Sequence, residues 1–213
     1  MTYVLHGARG SGSSIIEAAC AELRLPVELR DLDARGGEHR GDAYARLNPV
    51  RKLPTLVIDG TEVLTETVAI LVTLDERHRI GGLLPAPGTP TRAQALRWLL
   101  VLATDLYPVM ELVDHPERFA PVGTDAAALG ERSKALWLER WASIEAAIAG
   151  APWFSSEGFS AVDLYITVLS RWDMTDAWRR EHLPRVDRLA TATRSRARVA
   201  DALARHFGPV APQ

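Results

Sequence analysis

The sequence has a single cysteine in 213 residues, Cys20, so a disulfide bond within the chain is excluded. It lacks the run of roughly 20 apolar residues that a membrane-spanning helix needs. Charge is nearly balanced, with 25 Lys and Arg residues against 27 Asp and Glu residues, so neither nucleic acid nor a membrane is indicated as a partner. Because the amino terminus has no basic segment followed by an apolar signal core, we expect a soluble, cytoplasmic protein.

Several site motifs are missing as well. The chain has no Cys-x-x-Cys, which excludes a thioredoxin-type redox centre. Gly10 and Gly12 lack the third glycine and the downstream acid of a dinucleotide-binding turn. Four histidines are not paired with one another at metal-ligand spacing: His78, His115, His182 and His206. The sequence therefore predicts no metal ion.

The first third of the chain predicts an α/β domain of thioredoxin type. Alternating strand patterns, an alanine-rich helix and a hairpin turned by Asp59-Gly60 follow in the order strand, helix, strand, hairpin, helix. These segments are residues 2–6, 13–23, 27–32, 55–64 and 66–77. We assign this domain to residues 1–80.

The rest of the chain predicts helices. Residues 81–90 are dense in glycine and proline and are expected to be a linker. Residues 91–213 have helical periodicity, and Pro108 should kink the first long helix or end it within a turn or two. Ser160 and Asp163 have the spacing of a capping box at the start of another helix. We therefore expect an all-α second domain.

Residues 48–70 carry the most informative pattern. Pro54 stands at the entrance of a strand, and the rarity of cis bonds predicts a trans peptide bond before it. Thr65 is predicted as the N-cap of the next helix, which places Glu66 and Thr67 among the free N–H groups of its first turn. Taken alone, Glu66 would simply complement the helix dipole. The layout also suits a small peptide bound by its backbone and its amino-terminal charges.

Together with Gly37-Glu38-His39 and Asn48-Pro49, this stretch resembles the amino-terminal domain of cytosolic glutathione transferases, most closely the theta-like and bacterial members. The resemblance implies a thioredoxin-like domain followed by an all-helical domain that lines the electrophile site. It also implies a homodimeric enzyme of detoxification that conjugates its co-substrate glutathione to a small hydrophobic electrophile. Two alternatives share the fold: a non-catalytic glutathione-binding or protein-interaction member, and a glutathione-dependent isomerase.

The resemblance further implies roles for single residues. In this family a cis-proline precedes the third strand, and the residue before it pairs with the cysteinyl backbone of glutathione. An acid and a hydroxyl at the next helix start hold the γ-glutamyl group, and a basic residue and a histidine contact the glycine carboxylate. The corresponding residues here are, in the same order, Pro54, Leu53, Glu66, Thr67, Lys52 and His39. His39 equally fits a solvated loop histidine, and Arg51 stands where many relatives carry glycine.

The chemistry is expected at the turn between the first strand and the first helix, residues 6–14. A hydroxyl beside free helix N–H groups can stabilise the glutathione thiolate, which is a far better nucleophile than the thiol. Ser11 is the predicted donor, because its distance from the helix exit resembles that in delta-class transferases, and Ser13 is the alternative. Ser13 and Ser14 are also candidates for the N-cap of the helix. Arg9 can add a positive field or be an ordinary surface residue.

Two absences limit this chemistry. No tyrosine ends the first strand, where other transferase classes carry the thiolate donor, and no cysteine lies in the turn. Cys20 is predicted on the packed side of the helix, so disulfide reduction through a cysteine is not expected.

The electrophile pocket of this family lies between the domains, and Tyr107 and Met110 are predicted to line it, with Trp172 as a further candidate. Core packing is the alternative for each of them.

Overall fold

A computed structural model describes residues 1–78 and 82–210 of the chain. Gly81, the first residue of the predicted linker, lies outside these ranges, as do residues 79–80 and 211–213 at the ends of the two predicted domains. Within the described ranges, the strands of the sheet all precede His78, and the segment from residue 82 onward is built mainly from helices and loops. The expected change from α/β to helical structure is therefore present.

The described residues form a four-stranded mixed sheet. Its strands are β1 (Tyr3–Gly7), β2 (Glu28–Asp31), β3 (Thr55–Ile58) and β4 (Glu62–Thr65), in the spatial order β2-β1-β3-β4. β1 is parallel to β2, to which helix α1 (Ser13–Glu22) connects it, and β3 is antiparallel to both β1 and β4. The crossover helix makes the parallel pair possible, and the hairpin adds the antiparallel strands. This arrangement is thioredoxin-like, as predicted.

Further helices cover the sheet and build the rest of the chain. They are α2 (Asp42–Ala45), α3 (Thr67–Arg77), α4 (Pro90–Leu100), α5 (Tyr107–Asp114), α6 (Ala127–Ala147), α7 (Ala161–Leu169), α8 (Asp176–His182), α9 (Pro184–Arg194) and α10 (Ala200–Phe207). Helix α1 is buried along nearly its whole length, because β1, α7 and α10 all pack against it. Cys20 in this helix is fully buried, and burial raises the pKa of its thiol to about 12. A thiol in this state is unreactive, in agreement with the prediction for Cys20.

Helix α7 is buried along its whole length, and the predicted capping box starts it. Asp163 Oδ2 accepts the N–H of Ser160 at 2.7 Å, and Ser160 Oγ accepts the N–H of Val162 at 3.3 Å. The other carboxylate oxygen, Asp163 Oδ1, accepts the N–H of Phe154 at 2.7 Å. Burial raises the pKa of the Asp163 carboxyl to about 6. This one side chain thus joins the start of α7 to the loop before it.

Two helix starts differ from the predictions. Thr65 is not an N-cap: it ends strand β4, and Glu66 occupies the N-cap position of α3 with a backbone φ of 63°. The prediction was wrong by one residue because the ladder between β3 and β4 continues through Thr65. At α1, neither Ser13 nor Ser14 is the N-cap, since Gly12 occupies that position and the helix begins at Ser13.

One proline differs from expectation, and another agrees with it. The Leu53–Pro54 peptide bond is cis, so the trans bond expected from base rates is wrong, and the cis-proline implied by the family resemblance is present. Pro108 lies in the first turn of α5, which ends at Asp114, within two turns of the proline, as predicted. A π-helical segment, Val101–Leu106, precedes α5. Proline lacks an N–H and crowds the preceding turn of a helix. The wider π-helical turn accommodates Pro108, and through it α4 continues into α5.

Candidate functional site

A cavity of about 1200 Å³ lies between the sheet and the helical part of the chain. Its wall includes the β1–α1 turn, the segment before β3, the start of α3 and the passage from α4 to α5. Nine of the ten site residues predicted from the sequence line it: Ser11, His39, Lys52, Leu53, Pro54, Glu66, Thr67, Tyr107 and Met110. Ser13 is the tenth and lies behind the cavity wall. The structure thus brings together residues that are up to 99 positions apart in the chain.

The segment before β3 presents a peptide edge to the cavity. Asn48 Nδ2 donates to the carbonyl of Lys52 at 2.7 Å, and the Tyr44 hydroxyl donates to the same carbonyl at 3.1 Å. Tyr44 Oη also lies 2.7 Å from Thr55 Oγ1. Beside this braced carbonyl, neither the N–H nor the C=O of Leu53 has a hydrogen-bond partner among the residues that the structure describes. Both groups are therefore available to an extended ligand.

Helix α3 begins next to this edge. Within the described residues, the exposed side chain of Glu66 makes no capping hydrogen bond to the helix. Thr67 is buried, and its hydroxyl lies against the hydroxyl of Tyr165 from α7. The first helical bond runs from the Ile70 N–H to the Glu66 carbonyl, so the N–H groups of residues 67–69 have no partner within the helix. Free N–H groups, the positive end of the dipole and a hydroxyl form a site suited to a carboxylate.

The other end of the peptide edge is polar. Lys52 Nζ lies 3.1 Å from Glu111 Oε2 of α5, in an ion pair that crosses the cavity. His39 is partly buried in a short 3₁₀ turn, and in the described structure its Nδ1 is buried without a hydrogen-bond partner. Burial, helped by the charges of Arg40 and Arg118, lowers the pKa of His39. His39 is therefore neutral at neutral pH, and Lys52 supplies positive charge at this end.

The β1–α1 turn brings two serine hydroxyls together. Ser11 Oγ donates to the carbonyl of Ala8 at 2.8 Å and lies 2.9 Å from Ser13 Oγ. Ser13 is buried, and its hydroxyl oxygen accepts the N–H of Ala8 at 3.1 Å. Ser14 is buried as well and donates to the carbonyl of Ser11 at 2.7 Å. Ser13 and Ser14 therefore brace the turn, whereas Ser11 places its hydroxyl at the cavity. Arg9 is exposed and lies outside the cavity lining.

An aromatic wall faces this turn. The ring of Tyr107 lies 4.9 Å from that of Trp172 and 6.5 Å from that of Tyr165, measured between centroids. The Tyr107 hydroxyl contacts the N–H of Gly12, and burial raises the pKa of Tyr107 to about 12. Tyr107 is therefore protonated at neutral pH. Met110 follows one turn later in α5 and is buried at the cavity wall.

A family model described as "Glutathione S-transferase, N-terminal domain" matches residues 13–77. This part of the chain belongs to the glutathione S-transferase N-terminal domain family. It is 28% identical over 194 residues to an uncharacterized GST-like protein, YncG, of Escherichia coli K12, an alignment that covers 88% of this chain and 90% of that protein. Its identity to glutathione S-transferase theta-1 of Bos taurus is 47% over 57 residues, which are 27% of this chain and 23% of the relative.

Solved glutathione transferase structures share the fold over nearly the whole chain. A glutathione transferase homolog from Sulfitobacter, with bound glutathione, superposes with a TM-score of 0.86 at 22% identity and covers 97% of this chain and 99% of its own. A sphingomonad glutathione S-transferase complexed with glutathione gives a TM-score of 0.75 at 26% identity and covers 94% and 96%. The thioredoxin-like sheet followed by a helical region is thus the glutathione transferase fold.

Arg51, which departs from the family pattern, has an identifiable conformation. Its backbone φ is 58°, in the left-handed region that favours glycine. The side chain turns away from the cavity, since Nη1 donates to the Arg40 carbonyl at 2.7 Å and Nη2 pairs with Asp42 at 3.1 Å. Arg51 thus keeps the backbone shape of a glycine position and leaves the approach to Lys52 open.

Two tyrosines of the site were missed in the sequence: Tyr165, which lines the cavity, and Tyr44, which braces the Lys52 carbonyl. Tyr44 lies one helical turn before Asn48, and this spacing was the available signal that both side chains point at one loop. Tyr165 gave no signal, because every residue of its helix is buried.

Among the described residues, no group of three or more His, Cys, Asp and Glu side chains is placed to hold a metal ion. Over the same residues, no helix combines the length and apolar character required to cross a bilayer.

Proposed function

We propose that this protein binds glutathione in the cavity and transfers it to a small hydrophobic electrophile. The observation that carries the proposal is the peptide edge of Leu53, which has no partner among the described residues, beside the helix start at Thr67. An edge with a free N–H and C=O pairs with an extended peptide, and a helix start binds a carboxylate. Glutathione, an extended tripeptide with a free carboxylate at each end, matches both features. Relatives of the same fold are described as complexes with glutathione.

The proposed pose assigns each part of glutathione to a described contact surface. The cysteinyl unit pairs with the backbone of Leu53, whose orientation Pro54 fixes. The γ-glutamyl carboxylate binds the N–H groups and hydroxyl at Thr67, and its amine binds the carboxylate of Glu66. The glycine carboxylate binds Lys52, which exchanges its ion pair with Glu111 for the ligand.

His39 completes the proposed glycine end as a neutral hydrogen-bond donor. Its buried Nδ1 has no partner in the described structure, and its pKa is lowered. A neutral imidazole carries its single proton on one ring nitrogen, and because Nδ1 is buried, Nε2 is the nitrogen that would donate to the ligand. The charge in this region therefore comes from Lys52, and the role of His39 is directional.

In this pose the sulfur reaches the β1–α1 turn. The Ser11 hydroxyl leaves the Ala8 carbonyl, to which it donates at 2.8 Å, and donates to the thiolate instead. A hydrogen bond to a charged acceptor is stronger than one to a neutral carbonyl, so the exchange favours ionisation of the thiol, whose proton passes to solvent. The thiolate then attacks an electrophilic carbon, a C–S bond forms, and the leaving group departs with the bonding electrons. Tyr107 and Met110 form the wall where that carbon would lie.

A glutathione-dependent isomerase is the second candidate. The chain is 30% identical over 144 residues to a probable maleylacetoacetate isomerase of Vibrio cholerae, over 66% of this chain and 64% of that protein. Against this candidate, the β1–α1 turn lacks the paired serine and cysteine typical of that zeta-like group. The two activities differ in their product: an isomerase returns glutathione, and a transferase consumes it.

We further propose the division into two domains, residues 1–80 and 91–213, and assembly as a homodimer. Family membership supports both, and the apolar side chains of Val50, Val63 and Leu100 are exposed on the described chain. Light scattering coupled to size-exclusion chromatography tests the dimer, since a mass of twice 23.4 kDa is expected. A mass equal to that of one chain would contradict it.

The proposed activity is tested by ultraviolet difference titration with glutathione across pH. Thiolate absorbance is expected well below the pH at which free glutathione ionises, and glutathione should be consumed when an electrophile such as an activated chloroarene is added. Binding without thiolate would favour the non-catalytic alternative. Conversion of a cis ring-cleavage product with glutathione returned unchanged would favour the isomerase.

A further inference from the structure

Gly10, the residue before Ser11, is held from both sides by the helical part of the chain. Its carbonyl accepts the indole N–H of Trp172 at 2.9 Å, and its own N–H donates to His206 Nδ1 of α10 at 3.1 Å. These two partners lie 162 and 196 positions away in sequence. The β1–α1 turn is therefore fastened by residues that belong to the opposite end of the chain.

The two bonds fix both peptide planes that meet at Gly10. Its N–H belongs to the peptide group shared with Arg9, and its carbonyl belongs to the one shared with Ser11. Gly10 has a φ of 72°, and glycine has little intrinsic preference among its conformations. The tertiary hydrogen bonds thus add to the local turn bond from the Ser11 N–H to the Ala8 carbonyl at 3.2 Å, and together they set the plane from which the Ser11 side chain projects.

The contacts of His206 define which ring nitrogen carries the proton. Because Nδ1 accepts the Gly10 N–H, the proton of the ring is on Nε2, which lies 2.8 Å from Glu17 Oε2 of α1. The His206 side chain is 1% exposed, and Glu17 is buried as well. Arg205 bonds the same Glu17 oxygen at 2.9 Å and also pairs with Asp31. The imidazole is therefore held in one orientation and one tautomer.

We infer that His206 is a positioning residue for the thiolate-binding turn, which it holds through the N–H of Gly10, while Trp172 holds the carbonyl side. This role rests on the glutathione transferase activity proposed above. The carboxy-terminal helix thereby completes the site, although His206 does not line the cavity. Loss of the bond to Gly10 leaves the proposed glutathione-binding edge at Leu53 intact. It lets the peptide group at Gly10 rotate, so Ser11 is no longer held in one orientation.

Two substitutions separate this role from simple packing. In His206→Asn, the amide oxygen lies near the place of Nδ1 and can still accept the Gly10 N–H, but the contact with Glu17 is lost. In His206→Gln, the amide group reaches the place of Nε2 and can still donate to Glu17, but the bond to Gly10 is lost. The two variants therefore remove opposite halves of the His206 contacts.

The test compares kcat, glutathione affinity and thiolate absorbance in the two variants. We expect His206→Gln to lower kcat and the thiolate fraction at neutral pH by about tenfold, with glutathione affinity changed less than about twofold. His206→Asn should keep both within about threefold of wild type. His182→Asn is the matched control, because His182 is exposed on α8 and lies outside the cavity lining, and it should behave as wild type.

Equal losses in both His206 variants, or no loss in either, would overturn the inference. If His206→Gln does not fold by circular dichroism, Trp172→Phe is decisive, since it keeps an aromatic ring and loses the donor to Gly10. It should lower thiolate absorbance at unchanged glutathione affinity, and wild-type absorbance there would overturn the inference. A wild-type protein that shows neither thiolate nor turnover would instead reject the proposed function itself.

Discussion

The two ends of the cavity are built in different ways. At the proposed glutathione-binding end, Leu53, Glu66 and Thr67 come from one stretch of chain and are placed by a strand, a hairpin and a helix start. At the thiol end, Ser11 depends on Gly10, which Trp172 and His206 fasten from the far end of the chain. The first end is local structure, and the second is a product of long-range packing.

The two ends also differ in the groups that they use. The binding end offers mainly backbone N–H and C=O groups, which substitution of a single side chain does not remove. The thiol end offers one hydroxyl, held by side-chain hydrogen bonds. We therefore expect single substitutions to affect catalysis more than glutathione binding.

The largest expected effect is that of Ser11→Ala at the thiol end. Loss of the hydroxyl proposed to stabilise the anion should lower kcat by about 100-fold, while the Kd for glutathione stays within about twofold. Steady-state kinetics and isothermal titration calorimetry measure the two quantities. Ser11→Thr, which keeps a hydroxyl, is the control and should retain most of the activity. An unchanged rate in Ser11→Ala would move the role to Ser13 or to backbone N–H groups.

Asp163→Asn should weaken the helical side of the cavity without touching the binding edge. The Asp163 carboxylate accepts the N–H of Ser160 on one oxygen and the N–H of Phe154 on the other. Asparagine has only one side-chain oxygen, so one of these buried donors loses its partner. We expect a loss of about 2 kcal/mol in the free energy of unfolding. Asp125→Asn is the matched control, since Asp125 accepts an N–H at the exposed start of α6.

The loss caused by Asp163→Asn should depend on pH. Burial raises the folded-state pKa of Asp163 from 3.8 to about 6, so the folded protein binds this proton more tightly than the unfolded chain. Protonation of the Asp163 carboxyl therefore adds to the free energy of unfolding below pH 4, and this contribution declines as pH rises to about 6. Urea unfolding at pH 4 and pH 7 should therefore show the larger difference from wild type at pH 4. A difference that does not change with pH would contradict the raised pKa.

Glu66→Gln tests the binding end and should have a smaller effect. The variant loses the charge proposed to bind the γ-glutamyl amine, and we expect the Kd for glutathione to rise about tenfold at unchanged thermal stability. Glu76→Gln, at the exposed end of the same helix, should leave the Kd unchanged. Unchanged affinity with a lower Tm would instead show that Glu66 only complements the helix dipole.

The smallest expected effect is that of Glu111→Gln, which releases Lys52 from its ion pair across the cavity. The freed ammonium no longer exchanges partners when the ligand binds, so glutathione affinity should rise about twofold at low salt. Binding measured at two salt concentrations checks this, because the gain should shrink with screening. Glu117→Gln, outside the cavity lining, is the control. A weaker affinity in Glu111→Gln would show that Glu111 itself helps to hold the ligand.

The sequence predicted most of the fold, because strand alternation, helical periodicity and capping patterns are local. The order of the elements from β1 to α3, the capping box at Ser160 and the burial of Cys20 agree with the structure. The errors occur where one local pattern competes with a neighbouring one: Thr65 has the composition of an N-cap but continues the ladder of β4. Base rates also predicted a trans bond at Pro54, which is cis.

The sequence by itself determined the binding edge, because Leu53, Glu66 and Thr67 are close in the chain and their elements follow from short-range patterns. Only the tertiary structure decided which serine faces the cavity. Ser11 and Ser13 look alike in the sequence, and the burial of Ser13 against Ala8 distinguishes them. It also decided that His206 and Trp172 meet at Gly10. Hydrogen bonds between groups more than 160 positions apart leave no periodic trace in a sequence, since they depend on how helices pack rather than on how they form.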